Sequence, residues 1–80
     1  REALLSRLRW QCRRGMRELD QLLVAYLDTR YDDATDADKR AFCALLELPD
    51  PELVSYLLNH HKPDPALQRV VDAILGRAQT

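Results

Sequence analysis

The run Arg13-Arg14-Gly15-Met16-Arg17-Glu18-Leu19-Asp20 carries more chemistry than any other stretch of this chain. Three guanidinium groups and two carboxylates surround one glycine. Guanidinium and carboxylate form the strong, planar, charge-assisted pairs with which proteins recognise one another. Glycine costs roughly 1 kcal/mol relative to alanine inside a helix but is favoured where the backbone turns left-handed. Gly15 is therefore expected at a corner between two helices, just past the end of the first. Part of the charge pattern is dipole matching: Arg13 and Arg14 suit the negative end of one helix, and Glu18 suits the positive start of the next. Arg17 lies at the wrong pole for that account, which also gives no reason for a glycine between long charged side chains. A docking corner explains both.

The remaining reactive groups form no catalytic pattern. Cys12, Cys43, His60 and His61 are the soft metal ligands, and their spacing matches no structural zinc motif. Ser6 and Ser55 lack the surroundings of an activated nucleophile. Cys12 falls on an apolar stripe and reads as core, and both cysteines are expected to be reduced. Glu18 with Asp20, and Asp32 with Asp33, are carboxylate pairs without a neighbouring electrophile; the second pair reads as a solvated turn. Arginines near Trp10 raise the question of nucleic acid, since an aromatic ring can stack on bases. The chain beyond residue 17 is acidic, however, and no helix carries a set of base-reading side chains. No nucleic-acid partner is expected.

These groups must be positioned by a small helical protein. The chain has 80 residues, of which 46% are hydrophobic and 31% charged, which places it among single globular domains. Residues 1–17 hold six arginines against one acid, a net of +5, while residues 18–80 hold six basic residues and twelve acids, a net of −6. Such asymmetry fits a basic face used on an acidic partner, and equally a solvated helix with arginines on its wet side. No apolar run reaches the roughly 18 residues of a membrane span, and no secretory segment is seen. Five apolar stripes follow the helical period: Leu4, Leu5, Leu8 and Cys12; Leu19, Leu22, Leu23, Tyr26 and Leu27; Phe42, Leu45 and Leu46; Leu53, Val54, Leu57 and Leu58; Leu67, Val70, Val71, Ile74 and Leu75. Thr35 with Asp38 reads as a capping box, and Asp50-Pro51 and Asp64-Pro65 read as N-cap followed by proline at the first helical position. Pro49 and Pro63 help to end the preceding helices. The expected fold is all-α, a compact five-helix bundle spanning residues 1–80 as one domain.

Arg14-Gly15-Met16-Arg17-Glu18 fits the RGxxE motif and resembles that of the succinate dehydrogenase flavinylation factors, small bacterial assembly factors with mitochondrial relatives. Trp10-Gln11-Cys12-Arg13 and Leu19-Asp20 resemble the flanks of that motif. Tyr31-Asp32, Asp38-Lys39-Arg40, Leu45-Leu46-Glu47, Asp50-Pro51 and Asn59-His60-His61-Lys62-Pro63 resemble later landmarks, in order, over nearly the whole chain. One departure is His61, where relatives often have glycine, so the turn before Lys62-Pro63 is expected to differ locally.

The resemblance implies a protein that is not an enzyme. It would bind the flavoprotein subunit of succinate dehydrogenase, and in some bacteria that of fumarate reductase. It would promote covalent attachment of FAD to that subunit. FAD would belong to the partner and would not be held tightly by this chain. Arg14, Gly15 and Glu18 would form the core of the contact, with Arg13, Arg17 and Asp20 at its periphery. Arg14 would donate to acceptors on the partner from an exposed helix end, so that Arg14→Ala would leave the fold almost unchanged. The chain alone is expected to be monomeric, in the bacterial cytoplasm or, in a eukaryote, the mitochondrial matrix. The rival reading is an antitoxin-like or inhibitory module that binds a different protein.

Overall fold

Start signals and apolar spacing produce the helices where the sequence places them. The computed structural model describes residues 2–76, which form α1 (Glu2–Gln11), α2 (Arg17–Thr29), α3 (Asp36–Leu46), α4 (Asp50–Leu57) and α5 (Pro65–Leu75). No strand occurs among the described residues. Thr35 caps α3, its hydroxyl accepting from the Asp38 amide at 3.1 Å. Asp38 does not close the box in return; its carboxylate faces Arg69 on α5 at 3.4 Å. Asp64 is the N-cap of α5 with Pro65 at the first position, as expected, though its side chain makes no capping bond. Asp50 is displaced by one residue from its expected place. Pro49 is the N-cap of α4, and Asp50 occupies the first turn with Pro51. The Asp50 carboxylate lies instead 3.4 Å from Arg14.

At the C-terminal ends, Gly76 caps α5 in the left-handed conformation, with φ +74°. After α4 the left-handed position falls on His60, with φ +60°, and not on His61. Histidine at 61 therefore imposes no left-handed backbone strain. Its amide donates to the Ser55 carbonyl at 2.9 Å, and its Nδ1 lies 2.6 Å from the Ser55 hydroxyl.

Helix α5 is the hub. It packs against α2, α3 and α4, while α1 lies across α2 and α3. Short helices are marginal alone, so this packing is what holds them. Leu19, Leu23, Phe42, Leu45, Leu53, Leu57, Val70 and Val71 are all sealed from solvent in one continuous core. The radius of gyration, 11.5 Å, equals that expected for a close-packed chain of this length, about 11.6 Å. Leu4 departs from its stripe. It is 48% exposed, whereas Leu8 and Cys12 are buried and Leu5 packs against the core.

Cys12 has no exposed surface, and burial pushes its thiol up to about 11, despite the nearby Arg14 and Arg9. A thiol reagent near pH 8 should therefore modify Cys12 no faster than the protein unfolds. Rapid labelling of the native chain would show that the α1 face has been misplaced. The sign of the linkage follows from the raised value. The contribution of this thiol to stability is complete below the ~8.5 of a free cysteine and is lost as pH rises through the folded-state value.

Candidate docking corner

Helix α1 ends at Gln11, where the Cys12 and Arg13 amides close its last turn onto Leu8 and Trp10. Gly15 is not the immediate cap of that helix. It is the left-handed residue, φ +79°, of the connection 12–16, and α2 starts from extended Met16. A Cβ added at Gly15 would meet nothing within 4 Å, so the glycine faces open space. Its requirement here is the backbone angle, not internal crowding.

Arg14 differs most from expectation. It is not an exposed helix end; its side chain is only 16% accessible. Nε donates to the Gln11 carbonyl at 2.8 Å, and Nη1 to the Leu48 carbonyl at 3.2 Å and to Asp50 Oδ1 at 3.4 Å. Nη2 donates to the Leu46 carbonyl. Gln11 and Leu46 are the last residues of α1 and α3, so their carbonyls have no partner within their own helix. One guanidinium thus gathers the open ends of two helices and the start of a third. The last turn of α3 contains no basic residue of its own. Arg14→Ala would strand these acceptors. Each charge-assisted bond contributes on the order of 1.5–3 kcal/mol, so the near-neutral effect expected for an exposed arginine does not apply.

Asp20 also turns inward. Its Oδ1 accepts from the Arg14 amide at 2.7 Å, which ties the first turn of α2 back across Gly15. The expected peripheral contact is therefore already committed within the chain. Glu18, Arg13 and Arg17, by contrast, are exposed and form no ion pair among the described residues. The corner brings the expected group together but divides it. Arg14 and Asp20 lie beneath, and Gly15, Glu18, Arg13 and Arg17 face outward.

The basic face of α1 continues this surface. Trp10 is 71% exposed, with Arg7 and Arg13 beside it and a shallow cleft of about 400 Å³ running down to Arg14 and Leu46. Arg9 is spent on an exposed ion pair with Asp28 of α2 at 2.5 Å. The hydrogen bond from Arg9 holds the Asp28 carboxyl below its usual range and raises the guanidinium in turn. Of the six arginines read from the sequence, Arg1 lies outside the described residues. Among the described residues no three His, Cys, Asp or Glu side chains gather as a metal site, and no helix is long and apolar enough to cross a membrane.

A family model described as the flavinator of succinate dehydrogenase matches residues 6–78, which takes in all of this corner. The chain belongs to this flavinator family. It is 48% identical over 75 residues to the FAD assembly factor SdhE of Shewanella oneidensis, a match covering 92% of each chain. It is 47% identical over 73 residues to the SdhE of Pectobacterium atrosepticum and 44% identical over 73 residues to that of Yersinia pseudotuberculosis. Both matches cover 90% of this chain and 83% of the relative.

Sequence reasoning about this flavinator-family chain missed the acceptors of Arg14. They are backbone carbonyls of Leu46 and Leu48, some 30 positions away, and carbonyls have no sequence signature. One faint signal existed: α3 ends without a basic residue or a glycine cap, so its terminal carbonyls needed a donor from elsewhere.

Proposed function

We propose that this chain is an assembly factor that binds the flavoprotein subunit of succinate dehydrogenase and promotes covalent attachment of FAD to it. The observation that carries this reading is the outward side of the corner. There Gly15, with open space in front of it, stands among Arg13, Arg17 and Glu18, none of them paired within the described residues. Membership of the flavinator family supplies the partner class.

The role is not enzymatic. The bond forms between flavin and target, FAD stays on the partner, and the factor acts through a higher affinity for the attachment-competent arrangement of the subunit. Residues 1–80 work as one helical domain, monomeric when alone, in the bacterial cytoplasm. Glu18 meets a basic group of the partner, Arg13 and Arg17 meet acidic ones, and Trp10 supplies apolar area at the edge of the contact. The flavoprotein subunit of fumarate reductase is a second target of the same surface.

The test is co-expression with each flavoprotein subunit, followed by flavin fluorescence on a denaturing gel. Covalent flavin should rise with this chain and fall towards the level without it for Glu18→Ala, while the thermal unfolding of that variant stays unchanged. Equal covalent flavin with and without the chain would overturn the assignment.

A further inference from the structure

We infer that Arg14 serves the docking corner as a positioning residue, holding its shape from inside without touching the partner. This rests on the docking role proposed above. The guanidinium has five N–H donors. Bonds to the Gln11, Leu46 and Leu48 carbonyls and to Asp50 engage all three of its nitrogens. Four of the five donors are therefore used within the chain, and a bidentate carboxylate on a partner could recruit Arg14 only by displacing one of these bonds. The amide of the same residue is also committed, to Asp20 at 2.7 Å. Side chain and backbone of Arg14 together fix where the chain enters and leaves Gly15. They therefore fix the direction in which Arg13, Arg17 and Glu18 project. Three elements meet at this one group: the end of α1, the connection from α3 to α4, and the first turn of α2.

The fork geometry explains why arginine is used here. A lysine ammonium is a compact point charge and cannot address carbonyls on both sides of the cleft in fixed directions. The acceptors also lie where the α1 and α3 dipoles are negative, which favours a permanent cation beneath the corner.

Side-chain NMR of the 80-residue chain, free and bound to the flavoprotein subunit, tests this directly. In the free chain the Arg14 Nε–H should exchange with water at least about tenfold more slowly than those of Arg13 and Arg17, because it is already bonded. On binding, its signal should stay in place while those of Arg13 and Arg17 move. Fast exchange in the free chain, or an Arg14 shift on binding as large as theirs, overturns the positioning role. A double-variant cycle supplies the second readout. Glu18→Ala should lower affinity on the order of tenfold in the unaltered chain, a factor worth ~1.4 kcal/mol. It should lower affinity less than about twofold when Arg14→Ala is already present, because the corner then no longer aims Glu18. Independent, additive losses overturn the inference even if both variants bind poorly. Arg14→Lys should behave like Arg14→Ala; recovery of affinity by lysine would instead mark a direct charge contact. If the unaltered chain binds neither flavoprotein subunit, the docking reading fails as a whole. Binding together with a loosely held Arg14 removes only the positioning role.

Discussion

Gly15→Arg should abolish flavinylation of the partner while leaving most of the bundle folded. The two effects separate because of the geometry at this residue. With φ at +79°, any side chain pays for a left-handed backbone, about 1–2 kcal/mol. Nothing within 4 Å obstructs the added atoms, so that cost should not grow with the length of the side chain. Alanine and arginine should destabilise the free chain to a similar extent, and valine somewhat more because of its β-branch. A partner surface lying against Gly15 would sense size, so affinity should fall from Gly to Ala to Val and vanish at Arg. Unfolding free energy and affinity for the flavoprotein subunit are measured across the series. Affinity that merely follows stability would reduce Gly15 to a turn former. Affinity that collapses while stability levels off assigns the contact to this face.

Phe42→Ala should produce the largest loss of stability from any single truncation. The ring has no exposed surface and lies with its centroid 4.8 Å from that of Tyr26 and 5.7 Å from that of Tyr31. It joins α3 to α2 and to the turn that follows α2. Truncating a buried phenylalanine costs about 3–5 kcal/mol in transfer energy and residual cavity. At the usual ~0.05–0.15 kcal/mol per residue, a chain of 80 residues holds about 4–12 kcal/mol in total. Urea unfolding should show a midpoint lowered in proportion, with its slope little changed. Flavinylation should fail only at temperatures where this variant unfolds, the opposite of the Gly15→Arg pattern. A loss under about 1 kcal/mol would mean that the three rings do not form the packed centre.

The sequence by itself determined the five helices, because their information is local. Apolar residues at helical spacing, Thr35 at an N-cap and proline near the start of α4 and α5 act within a few residues of one another. It also determined the left-handed corner, since Gly15 is the residue between α1 and α2 that adopts positive φ without strain. The residues proposed for docking stand together at the corner for the same reason: they are contiguous in the chain. Tertiary structure alone decided which of them face outward. Arg14 and Arg13 are adjacent and identical in type, yet one is largely covered and the other exposed. The difference lies in where the end of α3 comes to rest, because the carbonyl of Leu46, its last residue, and that of Leu48, in the connection to α4, accept from the guanidinium within reach. Asp50 moved from capping its own helix to pairing with Arg14, and Asp20 from a presumed contact to an internal tie, through the same convergence. Local propensity sets where helices start and stop. The demand that every helix end find a hydrogen-bond partner is met between elements, and it is settled only when they pack.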